Sequence, residues 1–247
     1  MLIIGINPVL EILKVNPESV HGITCLDTKM HSVKVKDILR LAKKNNITVN
    51  FTNKNSFSGL FISKDKSEGI SQGIFAVVAD FKYYDEQELF NELKRSNKVM
   101  LLILDEIQDP HNLGAVIRTG AAVGVDGIIL TEKNTVKVNH TVIKASSGTI
   151  LGQKIILSKN IYKTIESLKK LKIRIIGTSL SAESSHYNTD FNTPCAILLG
   201  NEQKGIRTNL LKLCDDVIKI PIPGTAESLN VSVSAGVILY EALRQRG

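Results

Sequence analysis

From residue 99 onward the chain alternates between short, continuous apolar runs and longer segments with one apolar face. Val99–Asp105, VMLLILD, is an unbroken apolar run closed by an acid, the pattern of a parallel strand covered on both faces. A helix is expected from Leu113 to Val123, a strand from Gly127 to Leu130 and a helical stretch from Thr141 to Ser147. The strand IILS (155–158), a helix Ile161–Leu171 and a strand Ile173–Gly177 continue the rhythm. Pro194–Leu199 as a strand, Leu210–Cys214 as a short helix and Asp216–Ile220 as a last strand follow. The final helix is expected over Asn230–Arg244. Its opening NVSVS alternates with period two, but the segment runs on through GVILYEALR and is too long for a strand. Repeated βα units of this kind predict an α/β fold with a mostly parallel sheet.

Residues 1–80 carry a different, smaller α/β pattern. Asn7-Pro8 can start a helix through Leu13, HGITCL (21–26) reads as a strand, and Val35–Lys44 has apolar residues at 35, 38, 39 and 42. Ile47–Phe51 and Gly73–Val78 read as strands, and the polar Thr52–Ser58 as an exposed loop. The charged stretch 80–98 is locally helical and separates two apolar blocks. The expected organisation is therefore a first domain over 1–80, a linker over 81–97 and a second domain over 98–247.

Charge sharpens this division. The chain carries 31 Lys and Arg against 24 Asp and Glu, a net +7. Residues 1–80 hold 10 basic and 7 acidic residues, 81–97 hold 3 and 4, and 98–247 hold 18 and 13. Both blocks are basic and the piece between them is not, which suits a nucleic-acid partner touched by both. Cys25, Cys195 and Cys214 form no CxxC, as expected of buried thiols in a reduced compartment. No apolar run reaches bilayer-spanning length, and MLIIGINPVLEIL lacks the basic start of a signal peptide, so a cytoplasmic protein without a membrane partner is expected. No HExxH occurs, and His111, His140 and His186 lack ligand spacing, so no metal is expected. No GxGxxG follows the Val99–Asp105 strand, and no GxxxxGK[ST] is present, which disfavours the usual dinucleotide and nucleoside triphosphate sites.

Chemistry-bearing residues collect just after expected strands, where open sheets place their ligands. In DPHNLGAVIR, Asp109 or Asn112 can cap a helix, and the planar fork of Arg118 suits a phosphate. In LLGNEQKG, Gly200 and Gly205 bracket an amide, the acid Glu202 and a lysine. In IPIPGTAESLN, Ser228 and Asn230 lie at the start of the last helix, where either could be a cap.

NLGAVIRTG, LLGNEQKGI and IPIPGTAESLNVSVSAGVILYEALRQR resemble, in order and separation, the three signature motifs of the SpoU-type RNA ribose 2′-O-methyltransferases of the knotted SPOUT superfamily. The start, IIGINPVLEIL, resembles the ribosomal-protein-like substrate-binding domain that precedes the catalytic domain in many members. The resemblance implies a deep C-terminal trefoil knot, S-adenosylmethionine as cofactor, structured RNA as partner and a homodimer. It points most closely to the enzymes that methylate a guanosine ribose of 23S rRNA, with tRNA or another rRNA site as the alternative. It implies catalytic roles for Asn112, Arg118, Glu202, Ser228 and Asn230, and cofactor contacts from Thr178, Ser179, Gly200, Ile220 and Leu229. A free guanidinium is a poor base at neutral pH, so Arg118 is expected to orient the ribose hydroxyl and phosphate. Two departures, Gly120 and the SSGTILGQKI stretch from Ser146, fall outside this set. A non-catalytic RNA-binding protein would be expected to have lost some of these motif residues, and all are present.

Overall fold

A computed structural model describes residues 2–59 and 73–247, so part of the expected first domain lies outside the described residues. The chain divides into two compact units, one of residues 1–82 with 138–152, the other of residues 83–137 with 153–247.

In the first unit, β1 (Leu2–Ile4), α1 (Ile6–Val15), β2 (Val20–Leu26), α2 (Val33–Lys44), β3 (Val49–Thr52), α3 (Lys54–Gly59) and β4 (Ile74–Val78) follow in order. The sheet runs β1-β4-β2-β3, antiparallel except for the β2/β3 pair. Both long helices bury one face, Val9, Ile12 and Leu13 of α1 and Val35, Ile38 and Ala42 of α2. The expected loop Thr52–Ser58 is corrected by α3: Asn53 Oδ1 accepts from the Ser56 N–H at 3.0 Å, and Phe57 is fully buried against Phe75.

The segment 138–152, expected in the second domain, also packs in the first unit. Its helix His140–Ala145 starts on Asn139, whose Oδ1 accepts from the Val142 N–H at 3.1 Å. Val142, Ile143 and Ile150 are fully buried. Gly148 has φ +86° and lies so close to α1 that a Cβ would stand 2.6 Å from Glu11 Cβ.

In the second unit a helix forms in the stretch expected as a locally helical linker. Residues 81–97 hold α4 (Glu86–Leu93), capped by Asp85, whose Leu89, Phe90 and Leu93 join the core. The elements then run β5 (Met100–Leu104), α5 (Pro110–Val123), β6 (Gly127–Thr131), α6 (the helix His140–Ala145 of the first unit), β7 (Ile155–Ser158), α7 (Ile161–Lys170), β8 (Arg174–Thr178), β9 (Ser184–Ser185), β10 (Cys195–Leu199), α8 (Thr208–Leu211), β11 (Asp216–Lys219) and α9 (Val231–Arg246). All strand pairs are parallel, in the order β7-β6-β5-β10-β8-β11-β9. Every residue of β5, β6 and β10 is buried, as the continuous apolar runs require. From β5 the chain moves outward to β6 and β7. The strands formed later take the other side, and β5/β10 is the point where the direction reverses.

Two close approaches fix the later strands. A Cβ on Gly177 would stand 2.6 Å from Cys214 Sγ, so β8 and the turn after α8 meet only because residue 177 is glycine. Burial pushes the Cys214 thiol up to about 11 and also raises Cys195 and Cys25. At the far end of α9, the Arg246 guanidinium donates to the carbonyls of Phe191 (2.7 Å), Lys98 (3.0 Å), Val99 (2.9 Å) and Thr193 (3.0 Å). Gln245 adds a bond to the Thr189 carbonyl at 2.9 Å and accepts from the Phe191 N–H at 2.9 Å.

Candidate active site

The carboxyl ends of β10, β8 and β11 open onto one cleft within the second unit, beside the β5/β10 reversal point where open α/β sheets place ligands. Its volume is about 200 Å³. Leu199, Ile218, Ile220, Ile222, Leu229 and Val231 give it aliphatic walls. Thr178, Ser179, Gly200, Glu202 and Ser228 are also at its surface. All five residues expected to touch a cofactor therefore line one cleft, together with two of the expected catalytic residues.

Each segment reaches the cleft for a local reason. β8 ends in Thr178, whose hydroxyl donates to the Leu198 carbonyl of β10 at 3.3 Å, and Ser179 N–H donates to the Ile218 carbonyl of β11 at 2.9 Å. After β10 the backbone folds sharply: Asn201 and Gly205 exchange N–H···O bonds of 3.1 and 2.9 Å. Asn201 Oδ1 accepts from the N–H groups of Gln203 and Lys204 at 3.0 and 3.1 Å, an Asx turn that presents Glu202. Gly200 is required by this fold, since a Cβ there would stand 2.1 Å from backbone atoms of Gly205 and Ile206.

Asn112 and Asn230 do not line the cleft but are tied to Glu202. α5 is capped by Asp109, which accepts from the His111 N–H at 2.8 Å, so Asn112 sits in the first helical turn and not in a loop. α9 is capped by Asn230, whose Oδ1 accepts from the Ser232 N–H at 2.8 Å. That bond fixes which end of the Asn230 amide is oxygen. Asn230 Nδ2 then donates to Asn112 Oδ1 at 3.0 Å, and Asn112 Nδ2 donates to Glu202 Oε1 at 3.0 Å. A directed chain of donors thus runs from the cap of α9 to a carboxylate, linking three segments far apart in sequence. Arg118 stands apart: it is exposed on α5 and makes no hydrogen bond or ion pair with another described residue. Ser228 is exposed at the cleft and is not the cap of α9.

Sequence reasoning missed the support beneath the cleft. Asp105, at the end of β5, is 0% exposed and pairs with Arg207, whose Nη2 and Nε lie 2.6 and 3.0 Å from Oδ1. The Arg207 N–H adds a bond of 3.1 Å to the other carboxylate oxygen. This carboxylate holds the Arg207 guanidinium above its ordinary value. Beside it, Glu106 has φ +57°, an uncommon backbone for a side-chain-bearing residue. It is held there by Thr131 Oγ1 on its N–H (3.0 Å), Asn201 Nδ2 on its carbonyl (2.8 Å) and Asn134 Nδ2 on its carboxylate (3.1 Å). The signal was present in the acid that closes an otherwise apolar strand, because a buried carboxylate requires a cation or several donors.

The arrangement combines aliphatic walls, hydroxyls and few charges in the cleft, a fixed amide–carboxylate chain at its rim, and an unengaged arginine on the same helix as that chain. Among the described residues no three or more His, Cys, Asp or Glu side chains are placed to hold a metal, and no helix is long and apolar enough to cross a membrane.

Comparison with known proteins gives a consistent set of likenesses. The sequence profile of the SpoU rRNA Methylase family matches residues 99–240, and the profile for RNA 2′-O ribose methyltransferase substrate binding matches residues 2–84. A Bacillus subtilis (strain 168) protein assigned to the TrmH family of tRNA/rRNA methyltransferases is 34% identical, over 99% of this chain and 95% of its own length. A 23S rRNA (guanosine-2′-O-)-methyltransferase of Xylella fastidiosa (strain 9a5c) is 35% identical, over 99% of this chain and 96% of its own. The SpoU methyltransferase AviRb of Streptomyces viridochromogenes superposes with a TM-score of 0.79 at 22% identity, covering 100% of this chain and 89% of that one. The A. aeolicus TrmH/SpoU tRNA modifying enzyme reaches 0.56 at 32% identity over 65% of this chain and 82% of its own.

Proposed function

The chain belongs to the SpoU rRNA methylase family, and from that premise we propose that it transfers a methyl group from S-adenosylmethionine to a ribose 2′-hydroxyl of structured RNA, at a guanosine of 23S rRNA. The observation that carries this reading is the Asn230–Asn112–Glu202 chain, which gathers all three signature segments at the rim of one cleft.

The cleft fits the cofactor by its chemistry. Its aliphatic walls suit an adenine ring, and its hydroxyl and backbone groups suit the polar edges of a nucleoside. Bound there, S-adenosylmethionine would supply an electrophilic methyl carbon to the ribose O2′, with S-adenosylhomocysteine as leaving group and the hydroxyl proton passing to solvent. Thr178, Ser179, Gly200, Ile220 and Leu229 hold the nucleoside. Arg118, with its fork unengaged, grips the RNA phosphate and sets the neighbouring 2′-hydroxyl in line. Glu202 anchors the rim through Asn112, Asn230 fixes that amide, and Ser228 faces the reacting groups. Positioning of this kind supplies much of the rate in a transfer between two bound partners.

The choice of 23S rRNA is supported by likeness over nearly the whole chain to an enzyme named for that substrate, while the profile over residues 2–84 concerns RNA without naming one. The tRNA modifying enzyme of A. aeolicus matches over 65% of the chain. The reading includes the C-terminal trefoil knot and a homodimer. A dimer is supported by Val233, Tyr240 and Leu243 of α9, which stand 50, 55 and 38% exposed along one helix.

Incubated with labelled S-adenosylmethionine, unmodified 23S rRNA is expected to gain one ribose methyl, mapped by its block to alkaline cleavage, while bulk tRNA gains none. Label on tRNA alone would move the assignment to tRNA, and label on neither would remove the activity. The same preparation is expected to sediment at twice the chain mass. Asn230→Asp separates two roles of that residue, because aspartate caps helices as well as asparagine but cannot donate to Asn112. Methyl transfer is expected to fall about tenfold, the equivalent of one hydrogen bond of ~1.4 kcal/mol, with the melting temperature little changed. An equal loss of stability and rate would assign Asn230 to the cap alone.

A further inference from the structure

The chain leaving β5 and the chain leaving β10 are tied to each other at successive levels. At the base, Arg207 Nη2 lies 2.6 Å from Oδ1 of the buried Asp105. At the rim, Asn112 Nδ2 donates to Glu202 Oε1 at 3.0 Å. Between these, Asn201 Nδ2 donates to the Glu106 carbonyl at 2.8 Å. The base tie balances a buried charge and the rim tie joins two signature segments. The middle tie stands one residue away from each, at the point where the angle between the two chains is set.

Asn201 is half-buried, and its amide is engaged at both ends. Its Oδ1 accepts from the N–H groups of Gln203 and Lys204, which identifies that end as oxygen and leaves Nδ2 to face Glu106. Its backbone exchanges two further bonds with Gly205. The turn that carries Glu202 is therefore braced internally, and what remains to be fixed is its tilt toward α5. The acceptor is equally constrained. Glu106 has φ +57°, its N–H donates to Thr131 Oγ1 at 3.0 Å, and its Oε1 lies 3.1 Å from Asn134 Nδ2 and 3.4 Å from Arg207 Nη1. Its side chain is only 14% exposed. Bonds on N–H, carbonyl and carboxylate hold an uncommon backbone that aims the carbonyl at Asn201, and strain of this kind collects where geometry matters to function.

We infer that Asn201 is a positioning residue for methyl transfer: its bond to the Glu106 carbonyl sets the Glu202 turn against the approach to α5, so that the carboxylate meets Asn112. The inference rests on the RNA methyltransferase reading above and adds a residue outside its catalytic and cofactor sets. Asn201 acts through Glu202. A tilt of the turn releases the Asn112 amide, and Asn112 shares α5 with Arg118 and accepts from Asn230. Small displacements of groups around a reacting centre are costly because the transfer depends on alignment.

Two substitutions test this. Asn201→Asp keeps an acceptor for both N–H groups of the turn but cannot donate to Glu106. Asn201→Ser also offers the turn an acceptor, loses the donor reach and adds no charge beside Asp105, Glu106 and Glu202, so it keeps the test open if the aspartate unfolds the turn. In both, single-turnover methyl transfer is expected to fall about tenfold, the scale of one hydrogen bond, with S-adenosylmethionine affinity unchanged. In a Glu202→Ala background either substitution is expected to cost little more, because groups that act as a unit are not additive. Exchange of the Asn112 side-chain amide with water, followed by NMR on the cofactor-free protein, is expected to quicken in both variants. Losses that multiply with Glu202→Ala would make Asn201 independent of Glu202, and an equal loss of S-adenosylmethionine affinity would make it a cofactor contact; either overturns the inference. Unaltered exchange and rate beside an active wild type would overturn it alone. A wild-type chain that methylates no RNA would overturn the reading it rests on.

Discussion

Arg118→Ala is expected to lower methyl transfer by roughly 10²-fold, the scale of losing one positioning group at a reacting centre, while leaving the protein folded. The structure makes this substitution unusually clean. Arg118 is exposed and has no hydrogen bond or ion pair to another described residue, so removing it breaks no internal bond of that kind. Exposed positions of that kind change stability by no more than about 0.5 kcal/mol. Arg118→Lys is expected to recover little, because a point charge cannot hold a phosphate and orient a hydroxyl with one planar fork. Single-turnover rates with labelled cofactor, read beside circular-dichroism melts, check both halves. Full activity in Arg118→Ala would refute the role assigned to this arginine.

The largest effect on stability is expected at Arg207→Ala. Its guanidinium is the cation partner of Asp105, which is completely buried at the end of the interior strand β5. Removing the arginine side chain leaves that carboxylate with the backbone N–H of residue 207 as its remaining donor from that position. Breaking one side of a buried pair costs about 3–5 kcal/mol. Because Arg207 is itself 37% exposed, the lower end of that range is expected here, about 3 kcal/mol. In urea the midpoint should fall with the slope unchanged, the mark of lost stability without a change in the surface exposed. Asp105→Asn with Arg207 intact is expected to be milder, since the amide carbonyl can still accept from the guanidinium. A midpoint shift for Arg207→Ala no larger than for an ordinary surface residue would show that water, not the arginine, balances Asp105.

Elements with one dominant local cause were legible in the sequence. β5, β6 and β10 are unbroken apolar runs, and every residue in them is buried. The cap at Asp109 and the collection of polar residues after strands were equally readable. The cleft unites Thr178, Ser179, Gly200, Ile220 and Leu229 because strand ends in a parallel sheet share one edge. Other features have no local signature. α3 is polar apart from Phe57, so no apolar face marks it as a helix, though Asn53 caps it and Phe57 is buried against Phe75. Residues 138–152 carry a helical pattern that cannot say which core it fills, and they fill that of the first unit. The Asp105–Arg207 pair joins residues 102 apart, beyond the reach of any spacing rule. The isolation of Arg118 was not readable either, because an unengaged side chain is defined by everything that fails to reach it.

The clamp around Arg246 bears on the cleft at the opposite end of the same helix. The carbonyls it binds belong to Lys98, Val99, Phe191 and Thr193, at the amino-terminal ends of β5 and β10. The first residue before α9 is Asn230, at the carboxyl-terminal edge of that sheet. α9 has 16 residues and, at 1.5 Å per residue, spans about 24 Å. The helix is thus a strut pinned at the floor of the domain and carrying the rim amide at its other end. The height of that amide above the sheet is set by the length of a rigid rod and not by the loop that precedes it.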